Sequence, residues 1–340
     1  SRFFTSQETI MKPTAAQRKA MYSDIVRSRE FDDRVLELYF ADKMPVFDLA
    51  KGVIPGEIHS SHGQEPCAAG TMPHLTLEDT ITSNHRPHHH AICRGLDLNK
   101  LAAELMGKKT GYCAGKGGHM HIYSVDHKFS CSGIIAEGMG PAAGVALANK
   151  MRRQDGIAVS YMGEAAANQG AFHEVMNMAG VYTLPYICII EDNNWGVSVS
   201  KKASTAIERN SERAASYGVY GEYVEDNDCD LIFEAMSRCV DRARSGQGAS
   251  ILEIQTYRLK GHMHGDQMAY VPEEEVAAMK DCVVEYRNKL ISEGVLTEKE
   301  ADEIVSQQKS EVDAAIQFGL DSPYPDPEDA FQNTYAGVSK

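Results

Sequence analysis

The feature that most constrains the fold is a pair of continuous apolar runs, each followed at once by polar residues. The runs are GIAVSYM at residues 156–162 and LPYICII at residues 184–190. A third run of the same kind, SILEIQTYR, occupies residues 250–258. Uninterrupted apolar runs of this length are typical of strands that are buried on both faces of a parallel sheet. The sequence therefore predicts a sheet with at least three buried strands.

Helical segments separate these runs. After the first run, small residues predict a helix that starts near Ala166–Asn168. Before the third run, DLIFEAMSRCVDRARSG has the pattern of an amphipathic helix that ends at Gly246. The alternation of strand and helix predicts an α/β fold with a doubly wound, mostly parallel sheet.

The ends of the chain are predicted to be helical. Residues 14–42 have the apolar spacing of an amphipathic helix, and residues 272–291 and 297–317 predict two more, with many charged positions. We interpret residues 1–340 as a single α/β domain. Its helical extensions cover about residues 1–45 at the N-terminus and about 270–340 at the C-terminus.

Two stretches rich in glycine predict loops, at residues 45–65 and 107–140. The second is long for a compact domain. Long irregular segments of this kind are usually functional loops, although a plain surface connection is the alternative. We expect this stretch to contribute to a binding site.

Charge and composition exclude several classes of function. The chain has 34 Lys and Arg against 48 Asp and Glu, a net charge of −14, which disfavours nonspecific nucleic-acid or anionic-membrane binding. No run approaches the length of a membrane span. Eight cysteines are scattered without a CxxC spacing, which is typical of reduced thiols. We therefore expect a cytoplasmic protein, or one of the mitochondrial matrix or plastid if a leader was removed before Ser1.

Polar residues follow the first two apolar runs. Gly163-Glu164 comes directly after the first run, and Asp192-Asn193-Asn194 follows the second. Ligands of open α/β sheets lie beyond the carboxyl ends of the strands, and a helix start there favours a phosphate. Carboxylate and amide oxygens are ligands that Mg²⁺ prefers. The pattern predicts a metal–diphosphate site, although a helix cap at Glu164 and a turn at the asparagines would also explain it.

The same residues form part of a longer motif. Gly-acid-(small)₃-Asn-Gln-Gly at residues 163–170, with Asn193 standing 29 positions after the acid, resembles the thiamine-diphosphate motif. Four further segments occur in the order IHSSHGQEPCAAG, GKGGHMHIYS, GIIAEGMGPAAGVALA and ILEIQTYRLKGHMHGD. Together they resemble the alpha subunit of the thiamine-dependent dehydrogenase component of 2-oxo acid and acetoin dehydrogenase complexes. The resemblance extends over about residues 20–280, and it implies the thiamine-diphosphate-binding fold.

The resemblance implies that thiamine diphosphate and Mg²⁺ are bound. Glu164 and Asn193 match the side-chain metal ligands, and Trp195 matches the position that contributes a backbone carbonyl. Ala165 and Ala166 match residues whose amides face the diphosphate.

Other matched residues contact the rest of the cofactor. Gly133 and Ile135 stand where the family's backbone contacts the aminopyrimidine. Arg86 matches a residue that contacts the diphosphate, a role that suits a guanidinium because it can bind two phosphate oxygens at once. His85 stands where a phosphate-binding tyrosine is common, and His88 matches an active-site histidine.

Two histidines are expected beside the reactive carbon of the cofactor. His262, in LKGHMHGD, and His59, in GEIHSSHG, match these positions. The resemblance implies that they transfer protons and stabilise developing charge, work that suits a group that titrates near neutrality.

The chain departs from the family's usual Gly-Asp-Gly at Gly163-Glu164-Ala165. Glutamate reaches further than aspartate, and Mg²⁺ tolerates distortion poorly. Ala165 adds a Cβ where glycine lets the backbone approach phosphate. We expect both metal and cofactor to bind, although less tightly.

The resemblance also implies an activity and its partners. It predicts cleavage of a carbon–carbon bond next to a carbonyl, in acetoin or another acyloin first and in pyruvate or another 2-oxo acid next. The acyl group would pass to a lipoyl-bearing acyltransferase. A beta subunit would complete the site in a heterotetramer with two alpha and two beta chains. The alternatives are a non-catalytic partner subunit with impaired metal binding and a transketolase-like enzyme. A nicotinamide-binding domain is disfavoured, because no G-x-G-x-x-G motif follows an early predicted strand.

Overall fold

The computed structural model describes residues 11–43 and 48–333. Parts of the predicted extensions and of the first predicted loop lie outside the described residues, at 1–10, 44–47 and 334–340.

The nine strands of the described residues form a central seven-stranded sheet and a separate two-stranded hairpin. The strands are β1 Thr80–Ser83, β2 Tyr123–Ser124, β3 Phe129–Cys131, β4 Ala158–Gly163, β5 Tyr186–Asp192, β6 Trp195–Gly196, β7 Val199–Ser200, β8 Tyr220–Val224 and β9 Ser250–Gln255. The sheet order is β2-β3-β1-β4-β5-β9-β8, while β6 and β7 form a separate antiparallel hairpin. Within the sheet, β2 is antiparallel to β3, and the other described pairs are parallel.

Helices surround the sheet. The α-helices are α1 Ala15–Phe40, α2 Glu65–Thr71, α3 His88–Cys93, α4 Leu98–Leu105, α5 Met139–Arg152, α6 Gly170–Val181, α7 Lys201–Ser204, α8 Ala214–Tyr217, α9 Cys229–Arg244, α10 Glu273–Ala278, α11 Cys282–Ser292 and α12 Glu298–Asp321. Turns of 3₁₀-helix occur at Met72–His74, Glu164–Asn168, Asn210–Arg213 and Pro327–Phe331.

The central strands are buried on both faces. In β5, Ile187 and Ile189 belong to the core that includes residues of α1, α4, α9 and α12. Cys188 and Ile190 belong to a second core that includes residues of α5 and α6. A strand covered on both sides needs apolar residues at consecutive positions, which explains the continuous runs in the sequence. The predicted α/β class with a doubly wound, mostly parallel sheet is therefore confirmed.

Two helix predictions are wrong. Residues 272–291 form two helices rather than one, because the chain is extended at Met279 and the Asp281 carboxylate then accepts the Val283 N–H at 3.0 Å. The helix after β4 begins at Gly170 rather than near Ala166, since Glu164–Asn168 forms a 3₁₀ turn instead.

The glycine-rich stretch at 107–140 is held by one carboxylate. Buried Glu104, near the end of α4, accepts backbone N–H groups from four residues at 2.7–3.1 Å, namely Cys113, Gly115, Gly117 and Gly118. Hydrogen bonds to a charged acceptor are stronger than neutral ones, so a single side chain fixes this irregular segment.

Neither a membrane-spanning helix nor a disulfide occurs among the described residues. Among the helices of residues 11–43 and 48–333, none combines the length and apolar character that crossing a lipid bilayer requires. All eight cysteines are free thiols.

Candidate functional site

The site lies at the edge of the sheet where β4 and β5 end. The two strands are parallel and in register, with Gly163 opposite Glu191. Beyond them opens a cavity of about 280 Å³. Its lining includes most of the residues matched in the sequence, namely His85, Arg86, Ile135, Glu164, Ala165, Ala166, Asn193, Trp195 and His262.

Glu164 places a carboxylate at the base of this cavity. The residue is buried, and its Oε2 accepts the Asn193 backbone N–H at 3.4 Å. Its Oε1 has no hydrogen-bond partner among the described residues. Burial, and then the charge of Asp192, raise the pKa of Glu164 to about 7. A buried carboxylate with one free oxygen is a strong ligand for a cation, which would offset the cost of its burial.

The loop after β5 supplies the neighbouring oxygens. Asn193 Nδ2 donates to Gln64 Oε1 at 3.0 Å, which orients the amide, and Asn193 Oδ1 accepts the Trp195 N–H at 3.2 Å. The Trp195 carbonyl accepts Arg258 Nη1 at 3.3 Å. The carbonyl oxygen predicted to bind a metal therefore accepts one hydrogen bond from a cationic group, and its second lone pair is left for a metal ion.

Ala165 and Gly196 fit together. A Cβ added at Gly196 would lie 2.5 Å from the Ala165 Cβ, closer than real contacts allow. The methyl group of Ala165 therefore occupies space that the absence of a side chain at Gly196 leaves open. The hairpin β6–β7 thus accommodates the alanine that departs from the Gly-Asp-Gly pattern, and Ala165 and Ala166 both line the cavity.

Arg86 is a buried guanidinium that faces backbone carbonyls. It donates to the carbonyls of Ser60 and His262, the latter at 2.9 Å. Burial, and then the charge of Arg258, lower the pKa of Arg86 to about 10. The guanidinium groups of Arg86 and Arg258 both line the cavity, and guanidinium groups are suited to a phosphate ligand.

Three clustered histidines form what we call the histidine wall, in which His85 and His262 line the cavity and His59 packs against both. The ring centroids of His59, His85 and His262 lie 4.7–5.3 Å apart, and His59 Nδ1 lies 3.2 Å from His119 Nε2. Burial, and then Arg86, lower the pKa of His85 to about 3 and that of His262 to about 4. Burial also lowers the pKa of His59. The expectation that His59 and His262 titrate near neutrality is therefore wrong, because desolvation keeps these rings neutral.

Three of the matched residues are not part of the cavity lining that the described residues form. His59 is buried beside it, against the rings of His85 and His262. Gly133 lies between the lining residues Ser132 and Ile134. His88 lies behind His119, and its Nδ1 is 2.5 Å from Asp32 Oδ1. His88 therefore supports the histidine wall rather than facing the cavity.

Several residues of the site were not identified from sequence. Gln64 and Arg258 line the cavity, and Glu191 accepts from His89 and His90, at 2.7 and 3.2 Å. Asp32 holds His88. A signal existed for Asp32, since a carboxylate on the apolar face of a predicted helix requires a buried partner. Arg258 ends the third predicted strand, at the edge where ligands bind.

The residues fit the cofactor that the sequence implies. The cavity combines an unpartnered carboxylate oxygen on Glu164, an oriented amide on Asn193, and the guanidinium groups of Arg86 and Arg258. Oxygen donors beside cationic side chains match a divalent metal with a diphosphate. The binding role of each residue stays a prediction.

A family model and individual relatives indicate the same protein family for this chain. The dehydrogenase E1 component family model matches residues 42–328. The chain is similar to the alpha subunit of acetoin:2,6-dichlorophenolindophenol oxidoreductase of Bacillus subtilis, with 35% identity over 94% of both chains. The namesake subunit of Cupriavidus necator is also 35% identical, over 87% of this chain and 90% of the relative.

Pyruvate dehydrogenase subunits are similar as well. The chloroplastic E1 component subunit alpha-3 of Arabidopsis thaliana is 31% identical, over 98% of this chain and 77% of the relative. The fold, the order of the motifs and these matches agree with one another. The chain therefore belongs to the dehydrogenase E1 component family, as an alpha-type subunit of this class of thiamine-diphosphate-dependent oxidoreductases.

Proposed function

We propose that the chain binds thiamine diphosphate through Mg²⁺ held by Glu164, Asn193 and the Trp195 carbonyl, and cleaves an acyloin such as acetoin. The observation that carries the proposal is the free Glu164 Oε1, buried at the carboxyl edge of the sheet. Folding leaves this acceptor unsatisfied, and a divalent cation is the ligand that satisfies it best.

Each remaining residue has a role in the proposed site. Arg86 would bind the diphosphate, and the backbone at Ala165 and Ala166 would approach it. Gly133 and Ile135 would contact the aminopyrimidine. Bound thiamine diphosphate supplies a nucleophilic carbon that the protein cannot provide. His85 replaces the family's common tyrosine in the proposed diphosphate contact.

The histidine wall would handle protons. At pH 7 the low pKa values of His85 and His262 keep both rings neutral, so each can accept a proton or donate a hydrogen bond from its N–H. His262 and His59 would take the proton of a substrate hydroxyl, and His88 would hold His119 in place from behind. These roles suit an acyloin, whose hydroxyl must lose its proton as the carbon–carbon bond breaks.

The proposed order of substrates rests on sequence similarity. The two relatives named for acetoin are 35% identical, against at most 33% for the pyruvate dehydrogenase relatives compared. The segment GHMHGD is also closer to acetoin-type sequence, whereas EIQTYR is closer to the pyruvate type. We therefore place acetoin or a related acyloin first, and pyruvate or another 2-oxo acid second.

The proposed partners are a beta subunit and a lipoyl-bearing acyltransferase. Three apolar side chains at the cavity are exposed, those of Ile134, Ile135 and Val197, at 66%, 44% and 53%. Exposed apolar groups that cluster at a site opening often mark a protein interface. A beta chain covering this edge would give the proposed heterotetramer of two alpha and two beta chains. The single-domain division and the cytoplasmic location also stay proposals.

The test begins with cofactor binding. The chain, co-expressed with its beta subunit, is titrated with thiamine diphosphate by calorimetry, with and without Mg²⁺. We expect saturable heat that requires Mg²⁺ and is lost in Glu164→Ala, while the control Glu174→Ala, at an exposed position of α6, retains it. Absence of heat in a stably assembled complex would favour a non-catalytic subunit.

The substrate is then assigned by turnover with an artificial electron acceptor. We expect reduction of the acceptor with acetoin and a slower rate with pyruvate. Background rates with acetoin and clear turnover with pyruvate would reverse the proposed order of substrates.

A further inference from the structure

Three histidines, two that line the cavity and one buried beside it, bring ring nitrogens close together. One ring nitrogen from each of His59, His85 and His262 lies within 4.8 Å of the other two. The three residues come from separate segments of the chain, so the fold rather than a local motif brings them together.

The surrounding bonds leave nitrogens available. His59 Nδ1 lies 3.2 Å from His119 Nε2, within hydrogen-bond distance. The other ring nitrogen, His59 Nε2, is therefore available to bind a metal ion. The ring of His85 forms no hydrogen bond with the described residues, and its side chain faces the cavity. His262 Nδ1 lies 3.4 Å from Arg258 Nη1, a long contact that a stronger ligand could replace. A histidine that binds a metal through one ring nitrogen usually forms a hydrogen bond through the other, and this bond orients the ring.

We propose that His59, His85 and His262 form a site for a late first-row transition-metal ion of the Zn²⁺ class. Three imidazoles with an open fourth position match the tetrahedral preference of Zn²⁺. Mg²⁺ prefers oxygen, so this site is chemically distinct from the oxygen donors of Glu164 and Asn193.

Charge near the histidines limits the affinity. The guanidinium groups of Arg86 and Arg258 repel a cation, and burial of the histidines favours their neutral, metal-binding form. Glu191 and Asp266 partly offset the guanidinium charges. The ion would therefore bind more weakly than in a dedicated three-histidine site, and binding would need no thiamine diphosphate.

The test uses Co²⁺ as a spectroscopic probe and Zn²⁺ as its competitor. The chain, assembled with its partner subunit and without added thiamine diphosphate, is titrated with Co²⁺ while visible absorption is recorded. We expect the intense bands of tetrahedral Co²⁺, one equivalent per alpha chain, removed by Zn²⁺ and unchanged by millimolar Mg²⁺.

Variants locate the site. Loss of an outer partner of a ligand already weakens metal binding about 10–100-fold, so we expect His85→Phe to weaken Co²⁺ binding by at least ~100-fold. The matched control is His127→Phe, whose ring bonds Ser124 away from the cavity. Glu164→Gln should retain the bands, which separates this site from the magnesium site.

Each contrary result is decisive. Absence of tetrahedral bands in the folded wild type would overturn the proposal. Equal Co²⁺ affinity in His85→Phe would also overturn it, as would loss of the bands in His89→Gln alone, which would move the ion to the buried group of His89, His90 and Glu191. If His85→Phe fails to fold, His262→Ala replaces it in the same comparison.

Discussion

Glu164 shows how a single residue connects folding with ligand binding. Its carboxylate is buried, one oxygen has no partner among the described residues, and the pKa of the group is raised to about 7. The folded protein therefore holds a proton that the unfolded chain would release. The ionisation of this candidate metal ligand can therefore be measured through protein stability, without an assay of enzyme activity.

The first prediction is that Glu164→Gln stabilises the protein free of metal at high pH. The pKa of Glu164 is raised from 4.5 to about 7, so between these values the folded state binds more protons than the unfolded state. Stability from this group is therefore full below pH 4.5 and is lost as pH rises through 7. A shift of this size corresponds to at most about 3 kcal/mol.

Thermal unfolding in EDTA at pH 5 and pH 8 measures the effect. We expect the variant to exceed the wild type in Tm at pH 8 and to lose most of that advantage at pH 5. Glu164→Gln also removes the repulsion between the carboxylates of Glu164 and Asp192, which adds to the advantage at pH 8, where both are ionised, and not at pH 5. An advantage that is the same at both pH values would contradict the assignment.

The second prediction concerns the pH dependence of metal-linked cofactor binding. A metal needs the ionised carboxylate, and the fraction of ionised Glu164 falls about tenfold per pH unit below its pKa of about 7. We expect the apparent Mg²⁺ affinity, measured by calorimetry at saturating thiamine diphosphate, to fall by up to this factor between pH 7 and pH 6. A flat profile from pH 8 to pH 6 would show that Glu164 is not a ligand.

At the scale of elements, the contact between Ala165 and Gly196 joins the 3₁₀ turn after β4 to the hairpin β6–β7. Both segments carry candidate metal ligands, Glu164 and Trp195. A Cβ at position 196 would meet the Ala165 methyl at 2.5 Å, so the two segments approach as closely as their side chains allow. The separation between these candidate ligands therefore depends on the size of two small residues.

The third prediction is a double-mutant cycle at this contact. Gly196→Ala should destabilise the protein by about 1–3 kcal/mol, the usual cost of overpacking. Ala165→Gly/Gly196→Ala should recover most of that loss, because the clash disappears. Urea denaturation of the four proteins measures the coupling, and purely additive effects would exclude the contact as the cause.

The fourth prediction concerns the segment held by Glu104. In Glu104→Gln an NH₂ group replaces one of the two accepting oxygens, and at least one buried N–H loses its partner. We expect a loss of about 2–4 kcal/mol, since hydrogen bonds to charged groups are worth about 1.5–3 kcal/mol each. Faster hydrogen exchange at Cys113, Gly115, Gly117 and Gly118 would be the local signature.

The control for this prediction is Glu274→Gln, at an exposed position of α10 whose side chain forms no hydrogen bond or ion pair with the described residues. It should leave both stability and exchange unchanged. If Glu104→Gln also leaves exchange unchanged, the carboxylate does not hold the segment.

At the scale of the whole molecule, the terminal helices belong to the central structure. Ile316 and Val312 of α12 are buried in the same core as Phe31 of α1 and Ile187 of β5. The helix therefore adds to the stability of the sheet that carries the site. This supports the proposal of one domain with helical extensions.

The fifth prediction tests that unity. Ile316→Ala should lower the unfolding free energy by about 2–5 kcal/mol, as for other buried large-to-small changes. Gln317→Ala, on the exposed side of the same helix, should change it by less than about 0.5 kcal/mol. Circular dichroism and Trp195 fluorescence should report one coincident transition. Separate transitions would divide the chain into two cooperative units.

Local pattern and long-range contact contributed unequally to what the sequence predicted. The buried strands and most site residues were predictable, because consecutive apolar residues and the motifs at their ends are local signals. The pairs His88–Asp32 and Arg258–Trp195 were not, since 56 and 63 positions separate their members. The break at Met279 and the 3₁₀ turn at Glu164–Asn168 were also missed, because capping and tertiary contacts overrode local helix pattern.

The fit of Ala165 against Gly196 has a historical consequence. An ancestor with glycine at both positions could acquire the alanine at 165 freely, but only while position 196 stayed glycine. Once the alanine was in place, every later substitution at 196 carried a steric penalty that had not existed before. The two positions would then no longer vary independently, because a side chain at 196 is accommodated best when residue 165 is glycine. Across descendants of this lineage, residue 196 should accordingly vary only where residue 165 is again glycine.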